Sequence, residues 1–450
     1  MNINWKTKKL YQQPKWDNEQ QLQKILKKIT NYPNLVSINE IYNLRNYLEE
    51  ASKGNGFIIQ GGDCAETFID FNEKMIENKL KVLLQMSAII HYTTKINVLK
   101  IGRIAGQFAK PRSQEYETRE NITLPSYRGD GINQIQFNQN SRHPNPNNLL
   151  QAYHQSAATM NLIRNLMMQG FTNFSNIQSW GISFLNNSEY VKKYNIIVNK
   201  IKDIITFTNT NKTIPTSTIN PNIVNTLFTS HEALILDYES AFIINEKKKY
   251  YDCSAHMVWV GDRTRDLDGA HIEFVSHLEN PIGIKIGPSF DYKDIIPLCK
   301  KLNPKNLHGK LIFIIRLGVN YINQMLPEII NIIKKNKLNV LWFCDPMHGN
   351  TITANNGYKT RNFDTIKSEI CSFFNIHKAY DTVPAGIHFE LTGDNVTECL
   401  GGINNVQDVD LEQYYQTACD PRLNNEQSLE MGFLIAELLQ KSKQGEKYSD

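Results

Sequence analysis

Phe57-Ile58-Ile59-Gln60-Gly61-Gly62-Asp63-Cys64-Ala65-Glu66 is the stretch from which the architecture of this chain can be read. The apolar run at its start has the length and composition of a buried strand. Two glycines then allow a sharp turn, and a thiol follows at once. A cysteine just past a strand end is placed to serve as a ligand or a nucleophile, whereas a packing cysteine more commonly sits within the strand.

Outward from this point the same pattern recurs. Short β-like runs at 57–60, 97–101, 225–229, 256–260, 282–286, 311–316, 340–344 and 386–391 alternate with helical stretches. Eight such runs predict an α/β fold, a (β/α)8 TIM barrel, with function gathered at the carboxyl ends of its strands. Ahead of the barrel, Leu22, Ile25, Leu26 and Ile29, then Ile38, Ile41, Leu44 and Leu48, have helical spacing. They predict an N-terminal helical arm over 1–56 that covers one end of the catalytic barrel at 57–450. The gap from 101 to 225 is far longer than an ordinary βα connection. It holds a helical pattern at 148–169 and another at about 188–205, so a helical insertion at about 148–205 is expected between the second and third barrel strands. The tail reads as a helix over 427–441.

Composition narrows the class of function. The 450 residues carry 49 Lys+Arg against 45 Asp+Glu, a net charge of +4. That bias is too small to imply nucleic acid or an anionic membrane. No apolar run reaches the length of a membrane helix, and the N-terminus lacks the apolar core of a signal peptide and the length of a transit peptide. Seven unpatterned cysteines read as reduced thiols, so a cytoplasmic protein is expected.

Four side chains beyond strand ends form a possible metal set: Cys64, His348, Glu390 and Asp420. One thiolate, one imidazole and two carboxylates suit Mn, Fe, Co or Zn better than Mg or Ca, which avoid sulfur. Each taken alone has an ordinary structural role as well, and they are spread too widely along the chain for spacing to decide. A second set is cationic. Arg103, Lys110, Arg112 and the Ser113 hydroxyl follow the second run, then Arg263 and Arg265, then Lys285 and Arg316. Lys285 and Arg316 interrupt otherwise buried strands, where a charge is costly unless paired or bound to a ligand. So many cations around one pocket imply a substrate load with several negative charges, such as two phosphates and a carboxylate. His231 and His271, also near strand ends, read equally well as support for a metal site or as structural partners. The other cysteines read as packing residues, and Trp259 as a pocket wall.

The motifs resemble one family, in order. They are Gln-Gly-Gly-Asp-Cys-Ala-Glu at 60–66, Lys-Pro-Arg-Ser at 110–113, Ser-Tyr-Arg-Gly-Asp at 126–130 and Ser-His-Glu-Ala-Leu at 230–234. Asp-Arg-Thr-Arg at 262–265, Asp-Pro-Met-His-Gly-Asn at 345–350, His-Phe-Glu-Leu-Thr-Gly at 388–393 and Cys-Asp-Pro-Arg-Leu-Asn at 419–424 follow. From Trp5 onward the chain resembles class II (plant-type) 3-deoxy-D-arabino-heptulosonate 7-phosphate synthase. The resemblance implies a transferase that condenses phosphoenolpyruvate with erythrose 4-phosphate and water at the first step of the shikimate pathway, toward chorismate and the aromatic amino acids. It implies one divalent ion, manganese first and cobalt second, on Cys64, His348, Glu390 and Asp420. It assigns phosphoenolpyruvate to Arg103, Asp262, Arg263, Lys285 and Arg316, and erythrose 4-phosphate to Lys110, Arg112 and Ser113. Arg103, Lys285 and Cys64 are the expected catalytic residues, with Lys285 a candidate proton carrier. A homo-oligomer, dimer or tetramer, is also implied. One departure is Asp262, where many members have Glu. Two alternatives stand beside this reading: a related synthase using another aldose phosphate, and a barrel that has lost catalysis and serves as a binding or regulatory subunit.

Overall fold

A computed structural model of the chain describes residues 4–169, 171, 192, 196 and 226–444. Eight strands form a closed, all-parallel barrel: β1 (Gly56–Gly62), β2 (Asn97–Arg103), β3 (Leu227–Glu232), β4 (Met257–Val260), β5 (Ile282–Ile286), β6 (Leu311–Ile315), β7 (Leu341–Cys344) and β8 (Pro384–Glu390). Each strand pairs with its sequence neighbour, and β8 closes on β1. Each of the eight predicted runs overlaps one barrel strand; Arg316, predicted within the sixth run, lies just beyond the end of β6.

The first three strands extend further toward their carboxyl ends than the apolar runs do, whereas β6 and β8 stop one residue short of theirs, at Ile315 and Glu390. The third run was expected to end at 229, yet β3 continues through Ser230, His231 and Glu232. The reason lies in the side-chain period of two. Inward positions change character along each strand. Ile58, Leu99, Ile101, Phe228, Met257, Ile312, Ile314 and Phe343 fill the lower interior as one apolar cluster. Above them come polar residues such as Gln60, Ser230 and His388, and at the rim come the charges of Arg103, Glu232, Lys285 and Glu390. A reading based on hydrophobicity stops where this gradient turns polar.

Two helices precede the barrel, α1 (Glu19–Thr30) and α2 (Ile38–Ser52). A capping box starts α2: Ser37 Oγ accepts the Glu40 N–H, and Glu40 Oε2 accepts the Ser37 N–H at 2.7 Å. Leu44, Leu48 and Ala51 of α2 belong to the same apolar cluster as the lower barrel interior. The helix therefore seals the end of the barrel opposite the charged rim, as expected of these apolar positions. Around the strands run α3 (Glu73–Thr94), α4 (Asn147–Met168), α5 (Ala270–Ser276), α6 (Ile295–Leu302), α7 (Ile322–Lys335), α8 (Phe363–Ala379) and the tail helix α9 (Asn425–Gln444). The helix expected at 148–169 is α4. The one expected at about 188–205 lies outside the described residues, except for 192 and 196.

Three hairpins decorate the connections: Tyr116–Arg119 with Ile122–Pro125, Ile243–Glu246 with Lys249–Asp252, and Thr351–Thr353 with Lys359–Arg361. None was expected. The first two turn on Glu120-Asn121 and Lys247-Lys248, which all take positive φ without a glycine. The usual Asn-Gly or Asp-Gly turn signal is therefore missing from those two, whereas the third carries it at Asn356-Gly357, a signal that could have found the hairpin.

Leu48 is fully buried in the plug. Leu48→Ala is expected to remove about 2–5 kcal/mol of stability. The unfolding midpoint read by circular dichroism should fall by several degrees, with the chemistry at the opposite rim intact below that temperature.

Candidate active site

The rim is assembled around Gly62. Its Cα lies level with Arg103 of β2 on one side and Glu390 of β8 on the other. Gly62 has φ +149°, and a Cβ there would meet the Arg103 carbonyl oxygen at 2.5 Å. Only glycine lets the chain turn from β1 into Asp63-Cys64 while two charged strand ends stand against it. Two buried ion pairs fix the turn: Asp63 binds Lys79 of α3 and, at 2.7 Å, Arg422. Arg422 reaches on to Glu398, whose carboxylate also accepts the N–H groups of Gln416 and Thr417. The segment carrying Asp420 is thereby tied to the segment carrying Cys64.

Glu390 is the centre of the charge arrangement. Its carboxylate meets Arg103 Nη2 at 3.1 Å, Arg361 Nη1 at 2.8 Å and His348 Nε2 at 3.0 Å. Burial opposes its charge, yet His348, Arg361 and Arg103 hold it well below the ordinary carboxylate range. His348 is oriented from behind by Asp345, whose Oδ2 lies 2.8 Å from Nδ1. Asp345 also takes Lys285 Nζ at 3.1 Å. Burial pushes the Lys285 ammonium below its usual value, with Asp345 opposing and Arg103 adding to the effect.

Arg103 is 2% exposed and donates from Nη1 to His388 Nε2 at 2.9 Å. A guanidinium has no acceptor, so that ring nitrogen is unprotonated. His388 Nδ1–H then donates to Gln60 Oε1 at 2.7 Å, and Gln60 Nε2 donates to Ser230 Oγ at 2.9 Å. The Trp259 ring stands 5.4 Å from the Arg103 guanidinium and 5.8 Å from Lys285 Nζ, forming the expected wall.

Cys64 Sγ, one Glu390 oxygen and one Asp420 oxygen lie within 4.8 Å of one another. His348 stands outside this tight group but touches it through Glu390. A cation already lies among these donors: the Lys110 ammonium bonds both Cys64 Sγ and Asp420 Oδ2. The Cys419 thiol is a hydrogen-bond partner of Cys64.

Two chambers meet here. The inner one, ≈ 60 Å³, is lined by Cys64, Arg103, Lys285, Arg316, His348 and Glu390 among others. The outer one, ≈ 270 Å³, is lined by Lys110, Arg112, Ser113, Arg263 and Lys359. Lys110, Pro111, Arg263 and Asp420 border both. Arg263 Nη2 donates to Ser113 Oγ at 2.7 Å, which joins two of the predicted anion-binding segments. Asp262 lines the inner chamber, but its carboxylate is taken up by Arg316 Nη1 at 2.8 Å and Arg265 Nε at 2.9 Å. It aims cations rather than binding an anion. Buried Glu369 accepts the Gly318 N–H at 2.8 Å and Asn350 Nδ2 at 2.6 Å, which locks the loops carrying Arg316 and His348 together.

His231 pairs with Glu239 at 3.1 Å in a buried network beneath Gly106, and His271 Nε2 meets the Leu234 carbonyl at 3.0 Å. Both are structural partners. Arg361, Lys359 and Glu232 were missed by the sequence reading. The first two lie on the unforeseen hairpin and interrupt no apolar run. Glu232 ends a strand whose polar tip read as loop. Its Oε1 is buried at the inner chamber without a hydrogen-bond partner among the described residues, and burial raises its proton affinity.

Comparison with known proteins agrees over nearly the whole chain. A family model described as the class-II DAHP synthetase family matches residues 1–436. The phospho-2-dehydro-3-deoxyheptonate aldolase of Streptomyces coelicolor is 43% identical over 436 residues, covering 96% of each chain. That of Mycolicibacterium smegmatis is 40% identical over 441 residues, covering 95% of this chain and 92% of the other. Among solved structures, the phospho-2-dehydro-3-deoxyheptonate aldolase of Francisella tularensis aligns with a TM-score of 0.45 and 14% identity, covering 93% and 96% of the two chains. The chain belongs to the class-II DAHP synthetase family.

Proposed function

We propose that the two joined chambers are the active site of a 3-deoxy-D-arabino-heptulosonate 7-phosphate synthase. The enzyme condenses phosphoenolpyruvate with erythrose 4-phosphate and water, releasing inorganic phosphate, at the entry to the shikimate pathway. The observation that carries the site assignment is the continuity of the two chambers. A cluster of soft and hard donors sits where they join, and each chamber has its own set of cations.

In this reading Arg103, Lys285 and Arg316 at the inner wall bind the phosphate and carboxylate of phosphoenolpyruvate. Arg263 stands at the border and serves either anion. Lys110, Arg112 and Ser113, with Lys359 beside them, hold the phosphate of erythrose 4-phosphate so that its aldehyde end points inward. Fixing both substrates against the same rim turns a two-body encounter into a positioned one, worth several kcal/mol of barrier. The enol carbon of phosphoenolpyruvate then attacks the aldehyde carbon. Water adds at the neighbouring carbon, and the resulting hemiketal phosphate expels phosphate to leave the keto acid. Glu232, with its unpartnered oxygen, is the group placed to accept the water's proton. Lys285 is the group placed to hand one to oxygen.

The family is metal-dependent. The donor set here fits a borderline divalent ion, manganese first and cobalt second, and the Lys110 ammonium seated between Cys64 and Asp420 supports a cationic occupant. Cys64, Glu390 and Asp420 would hold the ion, with His348 completing the set. When bound, it would supply Lewis acidity toward the aldehyde oxygen. Seven unpaired thiols fit the reducing cytoplasm, and the order of the motifs supports the plant-type grouping, whose resemblance implies a homo-oligomer. The completeness of the cation and donor sets speaks against a barrel that has lost catalysis.

Phosphate release from the two substrates tests the reading directly. Chelation should abolish it, and single divalent ions added back should restore it. Cys64→Ala should lose turnover and bound metal together; turnover near wild type with metal retained would refute the ligand. Arg316→Ala should raise the KM for phosphoenolpyruvate about tenfold or more, while that for erythrose 4-phosphate changes far less. Equal effects on both would remove Arg316 from its assigned place.

A further inference from the structure

Beyond the barrel loops, one residue far upstream reaches the outer chamber's framework. Residues 9–13 run as an extended strap across the loops that follow β2, β3 and β4. Lys9 bridges to Gly269, and its carbonyl accepts the Ala270 N–H at 2.9 Å. Tyr11 donates its hydroxyl to Asp266 Oδ2 at 2.7 Å. Gln13 Nε2 donates to the Leu234 carbonyl at 2.6 Å. Pinned on both sides, Gln12 is held at φ +60°, a left-handed conformation unfavourable for a residue with a Cβ.

Its side chain is what that conformation presents. Gln12 Oε1 accepts the backbone N–H of Arg112 at 2.8 Å and Arg128 Nη1 at 3.3 Å. The Gln12 carbonyl accepts from the same Arg128 nitrogen at 3.3 Å. Arg128 in turn accepts the Lys110 N–H on its carbonyl at 2.8 Å. One amide thus fixes Arg112 directly and Lys110 through one relay, on either side of Pro111. Gln12 itself does not line either chamber.

We infer that Gln12 is a positioning residue for sugar-phosphate binding, setting the Lys110–Ser113 loop from the N-terminal strap. The inference rests on the reading that this loop holds the phosphate of erythrose 4-phosphate. Loss of the amide leaves the Arg112 N–H and the Arg128 guanidinium to find other partners, and the loop loses its register with Arg263 and Lys359.

Steady-state kinetics on the full chain test it with three variants. Gln12→Gly removes the amide but relieves the backbone strain, so its thermal midpoint should stay within a few degrees of the native one. Its KM for erythrose 4-phosphate should rise about tenfold, with that for phosphoenolpyruvate within about twofold. Gln12→Glu keeps an accepting oxygen and should stay within about threefold of the native enzyme for both substrates. Arg112→Ala reports on the chamber itself and should raise the erythrose 4-phosphate KM. If Arg112→Ala raises it and Gln12→Gly does not, the positioning role is wrong while the chamber assignment stands. If Arg112→Ala has no effect, the chamber assignment falls and the inference with it. Equal rises in both KM values would mark Gln12 as merely structural.

Discussion

Glu390 is a fully buried carboxylate, and the site is arranged around keeping it charged. An isolated ion at such a depth costs several kcal/mol, and attraction to partners offsets that cost only when the geometry is good. Here Arg103, Arg361 and His348 approach from three elements: β2, the hairpin after β7, and the loop that also carries Asp345. The cations are constrained in turn. Arg103 is fixed by His388, and His348 by Asp345. Removing any one member leaves an uncompensated charge in a dry place, so the positions are mutually enforced rather than independently chosen.

The barrel makes this possible because parallel strands end together. Inward side chains on alternate strands emerge at one level, and the register Gly62–Arg103 and Gly62–Glu390 brings opposite charges from the two strands flanking β1 into contact. Below that level the interior is apolar and packs against α2, while the chambers at the charged rim reach the charges. The low dielectric strengthens every pair and makes the unpartnered oxygen of Glu232 a chemically costly and therefore informative feature.

Much of this was legible in the sequence, for identifiable reasons. The eight strands were visible because parallel barrel strands are buried on both faces and read as unbroken apolar runs. Lys285 was visible because it breaks such a run, and Arg316 because it ends one. What stayed hidden had no such contrast. The hairpin bearing Lys359 and Arg361 is neither apolar nor marked by a run that it interrupts. The polar tip of β3 looked like loop. The role of Asp262 could not be read either: an acid next to arginines in sequence gives no hint whether it faces a ligand or, as here, two guanidinium groups.

The plug formed by α2 and the seam between β1 and β8 also bear on how the chain is made. Gln60 and His388, which meet across that seam, are 328 residues apart. At a synthesis rate of 5–20 residues per second, roughly 15–65 s pass between their emergence from the ribosome. Throughout that interval β1 has one unpaired edge, and Leu44 and Leu48 of α2 have no completed barrel floor to pack on. The nascent protein thus carries an open strand edge and an unpacked apolar helix until β8 emerges, and both are exposed to aggregation over that window.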